Sequence, residues 1–185
     1  MSTMAFKKPA LLDENALFDY ALRGLGSRAH SISELKTKLK RRAEVPAAID
    51  AVLSKLKQYG YLNDRKFADS FTASRKEGRG FGRERVLREL NNKQVPRIVA
   101  EEAVKEAYDP ADELALADQL LQKKYRGKDL HDFLAEPKNV QAAFRRMRYA
   151  GYSSAITIMV LKRYTSRAEE IDESEADGEP VEGLE

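Results

Sequence analysis

The sequence lacks several features, and each absence excludes a class of protein. It contains no cysteine and no tryptophan, so disulfide frameworks and thiolate metal sites are excluded, and the composition fits a reducing cytoplasm. No apolar run approaches the roughly 18 residues that a membrane-spanning helix requires. The first residues, MSTMAFKKPALLDENALFDYA, have no long apolar core of the signal-peptide type. We therefore expect a cytoplasmic protein that does not span a membrane.

Charge is divided unevenly along the chain. The 185 residues hold 33 lysines and arginines and 30 aspartates and glutamates, a formal net charge of +3. Residues 168–185 hold nine of the acids and no basic residue, so the rest of the chain has 33 basic and 30 − 9 = 21 acidic residues, a balance of +12. A basic body predicts a polyanionic partner or an acidic protein surface, unless the cations only solvate helix faces.

Apolar residues recur at helical spacing, and alternating β-branched runs are nearly absent, which predicts an all-α fold. Two segments resemble each other: EVPAAIDAVLSKLKQ at 44–58 and QVPRIVAEEAVKEAY at 94–108. Both contain Val-Pro, and proline is favoured in the first helical turn because its missing N–H would have no partner there. GYSSAITIMVLKRY at 151–164 is a third version, in which Tyr152 takes the place of the valine.

Two further helices precede each of these segments, so the pattern predicts three tandem three-helix repeats. The predicted organisation is a flexible N-terminus (1–13), repeats at 14–63, 64–110 and 111–167, and a disordered acidic tail (168–185). Repeats of this kind bury their faces partly against their neighbours. We therefore expect an elongated or curved molecule.

The segment SRKEGRGFGRERVLREL at 74–90 alternates three glycines with arginines. A phosphate-binding P-loop needs a preceding strand and a closing Gly-Lys-Ser/Thr; the residues before Gly78 have helical spacing, and no such closing sequence follows. We interpret the segment as a turn between two helices, the second of which begins near Gly82. On that helix Arg85, Arg88 and Asn92 lie opposite the apolar face.

Three stretches carry a resemblance to a known family. In this order within residues 16–165 they are SELKTKLKRR, YGYLNDRKFADSFTASRKEGRGFGRERVLRELNNKQV and FRRMRYAGYSSAITIMVLKRY. Together they resemble the bacterial recombination regulator family RecX. The resemblance implies three tandem three-helix repeats, in agreement with the repeat in the sequence. It also implies a protein that binds RecA and the RecA–single-stranded DNA filament. Such proteins modulate, usually by inhibition, the recombinase, ATPase and co-protease activities of RecA in DNA repair and the SOS response.

The sequence departs from the RecX pattern at one helix end. Lys93-Gln94-Val95 stands where the family commonly has Lys-Gly followed by isoleucine or valine. Glycine usually supplies the left-handed residue that ends a helix. We therefore expect Gln94 to take a left-handed conformation at a cost of about 1 kcal/mol.

We predict that a basic cluster of the second repeat binds the partner. Its members are Arg75, Arg79, Arg83, Arg85, Arg88, Asn92 and Lys93. Guanidinium groups suit carboxylates and phosphates alike. The alternative is local pairing with Glu84 and Glu89, which contributes on the order of 0–1 kcal/mol for each exposed pair.

A second predicted set joins the first repeat to the second. Its members are Tyr59, Gly60, Tyr61, Leu62, Asp64 and Phe67. Asn63 or Asp64 would cap the helix that follows. We expect a structural hinge, although exposed aromatic residues also serve as anchors for partners.

No residues form a recognisable nucleophile–base or metal-ligand pattern. His30 and His131 are the only histidines, are about a hundred residues apart, and are expected at the surface. We predict no catalytic residues, no metal, no cofactor and no enzymatic activity.

Three functions stay open. The first is a monomeric RecA modulator, with possible weak contacts to the DNA backbone and none to a membrane. The second is a direct DNA-binding protein of the helix-turn-helix type. The third is a helical adaptor that uses the acidic tail.

Overall fold

The computed structural model describes residues 10–171, which form ten α-helices and one 3-10 helix. The only pairing of the β type among these residues is a single bridge between Leu12 and Ala43. No helix within this range is long and apolar enough to cross a bilayer. The predicted all-α fold is confirmed.

The helices form three consecutive units. The first contains α1 (Glu14–Ser27), α2 (Ile32–Lys40) and α3 (Pro46–Gln58). The second contains α4 (Asp64–Arg79), α5 (Arg83–Asn92) and α6 (Arg97–Ala107). The third contains α7 (Pro110–Lys124), α9 (Pro137–Ala150) and α10 (Ser154–Leu161), together with the single-turn α8 (Leu130–Phe133) and a 3-10 helix (Ser166–Glu170).

Each unit has its own apolar core. In the first, Leu17, Leu35 and Leu56 are buried together. Phe67, Val86 and Val104 belong to the core of the second, and Leu121, Phe144 and Val160 to that of the third. The predicted tandem arrangement of three units is therefore confirmed: the chain is a row of small cores rather than one large core.

The Val-Pro register differs between the units. Pro46 lies in the first turn of α3 as predicted, but Pro96 is the N-cap residue of α6, just before the helix. Val95 and Tyr152 are buried, whereas Val45 is exposed. The units therefore repeat the order of their helices. The residue at the valine position belongs to the core in only two of the units.

The ends of the described region extend beyond the predicted repeats. Leu12 pairs with the first unit, because its N–H donates to the carbonyl of Arg42 at 2.7 Å and its own carbonyl accepts from Glu44 at 2.9 Å. Ala168 is buried in the third core, and Ile171 packs against that core. Residues 168–171 therefore belong to the third unit and not to the predicted tail. The rest of the tail, 172–185, and residues 1–9 lie outside the described residues.

Candidate interaction surface

The glycine-rich segment turns the chain between α4 and α5, as predicted. Gly80 ends α4 in the left-handed conformation, with φ of 64°, and Gly82 is the N-cap residue of α5. Two tyrosine hydroxyls hold this turn: Tyr108 donates to the carbonyl of Phe81 at 2.6 Å, and Tyr152 donates to that of Gly80 at 2.8 Å. Burial, with the nearby Glu113 carboxylate, raises the pKa of Tyr108, so this hydroxyl stays a hydrogen-bond donor.

The same turn joins the second unit to the third. The N–H of Gly82 donates to the carbonyl of Ala150 at 2.8 Å, and the N–H of Glu84 donates to that of Gly151 at 3.1 Å. The N-terminus of α5 thus meets the C-terminus of α9, and the unpaired N–H groups of one helix satisfy the unpaired carbonyls of the other. We call this contact, between residues 80–85 and 150–152, the second joint.

Only glycine fits the centre of the second joint. A Cβ atom on Gly82 would lie 2.3 Å from the carbonyl oxygen of Gly151, and a Cβ on Gly151 would lie 2.3 Å from the Cβ of Arg85. Gly151 also has a φ of 96°, which side-chain-bearing residues rarely adopt. Two glycines 69 positions apart therefore allow two helix ends to approach at backbone distance.

A buried carboxylate lies beside this contact. Glu113 of α7 is only 3% exposed, and one of its oxygens accepts from the N–H of Arg83 at 3.2 Å. Burial raises the pKa of Glu113 above its usual value, although the hydrogen bond from Arg83 lowers it in part. The carboxylate caps the first turn of α5 from a different unit.

Two of the predicted binding arginines have structural partners. Arg75 and Arg85 both donate to the carboxylate of Glu89, at 2.7 and 3.1 Å. The guanidinium of Arg85 also lies 3.7 Å from the ring centroid of Phe81 and 4.8 Å from that of Tyr149 in the third unit. Burial alone would raise the pKa of Glu89, but hydrogen bonds from both arginines bring it below its usual value.

The helical projection predicted that Arg85 shares an exposed face with Arg88 and Asn92. In the structure it does not. It leans towards the third unit and contributes to the second joint. Glu84, which the alternative paired with neighbouring arginines, instead binds Arg148 of α9 at 3.0 Å. The alternative of local pairing therefore applies to Arg75 and Arg85, which both pair with Glu89.

The remaining members of the predicted set divide differently. Arg79, Arg83, Arg88 and Asn92 are exposed. Within residues 10–171 none of these four side chains forms a hydrogen bond or an ion pair, although the charge of Arg83 acts on the buried carboxylate of Glu113 and lowers its pKa in part. Lys93 instead binds Glu34 of the first unit, with 2.9 Å between Nζ and Oε1. Arg79, Arg83 and Arg88 are therefore exposed cations of the second unit without a direct ion pair, and we call these three the free arginines.

The contact between the first and second units is polar. Ser31 donates from Oγ to the carbonyl of Lys93 at 2.5 Å, and the N–H of Ile32 donates to Oδ1 of Asp64 at 2.8 Å. Asn63 caps α4, whereas Asp64 caps α2 of the other unit. We call this contact, between residues 31–34 and residues 64 and 93, the first joint.

The predicted inter-repeat set is split by burial. Leu62 belongs to the first core and Phe67 to the second, and Gly60 takes a left-handed φ of 72°. Tyr59 and Tyr61, in contrast, are 65% and 60% exposed, and they contact each other with 6.2 Å between ring centroids. Asp64 is the member of the set that bonds across the first joint.

Comparison with known proteins gives the family. Residues 18–56 match the first three-helix domain of RecX, and residues 63–104 match the second. The chain is 35% identical over 131 residues to the regulatory protein RecX of Chlorobium phaeobacteroides (strain BS1), covering 66% of this chain and 85% of that protein. The chain belongs to the RecX family.

Other RecX proteins agree with this assignment. The regulatory protein RecX of Escherichia coli (strain SE11) is 35% identical over 146 residues, which cover 74% of this chain and 84% of that one. The crystal structure of RecX from Lactobacillus salivarius matches 82% of this chain and 96% of its own with a TM-score of 0.71. At 16% identity, this likeness shows the shared fold.

The match to the second RecX domain, 63–104, contains the glycine-rich turn and the whole predicted binding set. Its partners in the second joint, Ala150, Gly151 and Tyr152, lie outside both matched ranges. The repeat pattern in the sequence marks Tyr152 but does not predict its bond to Gly80. A signal in the sequence is the Gly-Tyr pair after α9, which occurs also as Gly60-Tyr61 after α3.

The two histidines have different environments. His131 is exposed, as expected, but His30 is 5% exposed, so its predicted surface position is wrong. Its Nδ1 lies 2.9 Å from the carbonyl oxygen of Arg28, and burial lowers its pKa. No group of three or more histidine, aspartate or glutamate residues within 10–171 could hold a metal ion. The RecX relatives are named as regulatory proteins.

Proposed function

We propose that this protein binds RecA and the RecA–single-stranded DNA filament and inhibits the recombinase, ATPase and co-protease activities of RecA. It would act in the cytoplasm, in DNA repair and the SOS response, as a monomer without catalytic activity of its own. The observation that carries the proposal is membership of the RecX family, whose matched relatives are regulatory proteins.

The free arginines suit the proposed contact with the filament. Each is exposed and forms no ion pair within residues 10–171, so each can bind an external carboxylate or phosphate without first breaking one. Guanidinium groups bind both kinds of anion, often through two parallel hydrogen bonds. A RecA surface carboxylate or a phosphate of the bound strand would meet this requirement.

The arrangement of the units suits an elongated target. Three consecutive units each have their own core, and the second joint fixes the second unit against the third through backbone hydrogen bonds. Such a body could contact more than one RecA protomer along the filament. Occupying the filament in this way would oppose filament growth and strand exchange without any chemical step.

Direct DNA binding is the second candidate, and the same free arginines favour it. Phosphate binding releases counterions, so the logarithm of the affinity falls with the logarithm of salt by about 0.9 per phosphate contacted. Binding to the RecA filament would in addition require RecA and a nucleotide that keeps the filament assembled.

Fluorescence anisotropy of a labelled single-stranded oligonucleotide separates the two candidates. The protein is titrated into the oligonucleotide alone and into the oligonucleotide covered by RecA with a slowly hydrolysed ATP analogue. Tighter binding to the covered oligonucleotide at physiological salt supports the RecA modulator. Equal binding to both, with a steep salt dependence, would replace it by the direct DNA-binding protein.

A further inference from the structure

A basic cleft lies on the first unit, away from the free arginines. Its volume is about 720 Å³, and its walls include Tyr20, Arg28, His30, Lys38, Arg41 and Arg42. Gln94 of the second unit also lines it, so the cleft lies where the two units meet. Its size is within the ~300–1,000 Å³ range of sites that bind small molecules.

The charges that face the cleft are predominantly positive. Four cations line it, Arg28, Lys38, Arg41 and Arg42, against one carboxylate, Glu34. Glu34 is already occupied, because Arg28 binds it at 3.3 Å and Lys93 binds it at 2.9 Å. No carboxylate within residues 10–171 pairs with Lys38, Arg41 or Arg42. The cleft therefore has an excess of positive charge without an internal counterion.

Tyr20 holds two of these cations in place. Lys38 Nζ lies 5.4 Å from the centroid of the Tyr20 ring, and the guanidinium carbon of Arg42 lies 5.0 Å from it. Arg42 is further fixed by a hydrogen bond from Nε to the carbonyl of Ala10 at 3.3 Å. Cations that are held before a ligand arrives lose less conformational entropy when they bind it.

Two unusual residues border the same cleft. His30 is the buried histidine, and it lines the cleft together with Arg28 and Lys38, whose charges both lower its pKa. Gln94 is the only residue other than glycine within 10–171 with a positive φ, at 56°. Backbone strain of this kind often occurs at ligand-binding positions, and Gln94 lines the cleft.

We propose that this cleft binds phosphate groups, supplied by a nucleic-acid strand or by a free nucleotide. Several guanidinium and ammonium donors converge on a space large enough for a nucleotide, and a multiply charged phosphate can accept from all of them. The proposal does not depend on RecA binding, because residues of this chain alone form the cleft and no partner protein is needed.

His30 provides a direct readout of the bound anion. A phosphate beside Arg28 and Lys38 would offset their repulsion of the imidazolium, and should therefore raise the apparent pKa of His30 by roughly 0.5 unit or more. The protein has only one other histidine, His131, which lies on α8 in the third unit with its Nδ1 3.0 Å from the carbonyl oxygen of Tyr164. His131 is therefore an internal control in the same spectrum.

The experiment is an NMR pH titration of both imidazole rings in the full chain. It is run without ligand and with millimolar pyrophosphate, ATP without magnesium, a short oligothymidylate or a polyglutamate peptide. The test variant is K38Q/R41Q, and the matched control is K40Q, which changes an exposed cation of the same helix outside the cleft. Circular dichroism establishes that the variants keep their helicity.

The proposal is supported if pyrophosphate, ATP or the oligonucleotide raises the pKa of His30 but not that of His131. The rise must persist in K40Q and be lost in K38Q/R41Q. A response to all three phosphate ligands assigns the site to phosphate generally, and a response to the oligonucleotide alone assigns it to a strand. No response to any phosphate ligand, an equal response in K38Q/R41Q, or a response to polyglutamate alone would overturn it.

Discussion

Gly82 and Gly151 lie back to back, and their contact fixes the second unit against the third. The N–H of Gly82 reaches the carbonyl of Ala150 at 2.8 Å, which is possible only because neither glycine has a side chain at this point. The positive N-terminus of α5 and the negative C-terminus of α9 also attract each other here. The glycine-rich segment therefore allows the second and third units to pack closely against each other.

Replacing Gly82 with alanine should destabilise the protein. The added Cβ would lie 2.3 Å from the Gly151 oxygen, which is backbone and cannot rotate away. We expect a loss of about 1–3 kcal/mol in the free energy of unfolding, as for other overpacked sites. Urea unfolding followed by circular dichroism measures it.

Gly78→Ala is the matched control. Gly78 lies within α4 and a Cβ there would meet nothing within 4 Å. Alanine favours the helix over glycine by up to about 1 kcal/mol, so this variant should be as stable as the wild type or more stable. Equal effects of the two substitutions would refute the proposed role of the contact.

Replacing Gln94 with glycine should stabilise the protein. The predicted left-handed conformation of Gln94 is confirmed by its φ of 56°. Non-glycine residues in this region are strained by about 1–2 kcal/mol, whereas glycine loses more entropy on folding. We expect a net gain of about 0.5–1 kcal/mol in thermal or urea unfolding. Gln94→Ala keeps the backbone strain, so its stability should not rise. If Gln94→Ala were stabilised as much as Gln94→Gly, loss of the glutamine side chain rather than relief of backbone strain would be the cause.

Glu113 should make the protein less stable as the pH rises, which is the opposite of the usual effect of a carboxylate. Its folded-state pKa is raised by burial, so between the unfolded pKa of about 4.5 and the folded value the folded state binds the extra proton. This contribution to stability is present below the unfolded pKa and is lost as the pH rises through the folded pKa. Glu113→Gln mimics the protonated form and should remove the effect.

The measurement is urea unfolding of wild type and Glu113→Gln between pH 4 and 8, compared as a difference curve. The variant should gain stability relative to the wild type as the pH rises. Glu77→Gln, an exposed position on α4, serves as the control and should give a flat difference. A flat curve for Glu113→Gln as well would contradict the assigned burial.

Neutralising the free arginines should weaken filament binding. The triple variant Arg79→Gln, Arg83→Gln, Arg88→Gln removes three exposed cations, and we expect affinity for the RecA filament to fall about tenfold or more. Stability should change by about 0.5 kcal/mol at most, as for other surface substitutions, since none of these side chains forms an internal ion pair and Arg83 acts on Glu113 only through its charge. Arg85 is left unchanged because its loss would disturb Glu89 and the second joint.

The control for this variant is Arg23→Gln, Lys57→Gln, Lys105→Gln, which removes the same charge from exposed positions elsewhere. Anisotropy with RecA-covered oligonucleotide measures both. If the two triple variants lose affinity equally, net charge rather than the arginine surface is responsible.

Helical periodicity was sufficient to predict the three units, because each core is built from residues close in sequence. Leu35, Val86 and Phe144, each at helical spacing from other apolar residues, are all buried in the core of their own unit. The second joint was not predictable in the same way, since it depends on backbone contacts between Gly82 and Gly151, 69 residues apart. Arg85 was misplaced on a free face because a helical projection includes neither Tyr149 nor the third unit.

The decisive measurement of RecA inhibition is the single-stranded-DNA-dependent ATP hydrolysis of RecA, with this protein titrated in below the RecA concentration. We expect a strong loss of hydrolysis at substoichiometric protein, because one molecule that blocks filament growth or causes disassembly affects many protomers. An unchanged rate, together with tight and salt-sensitive binding to bare DNA, would contradict it.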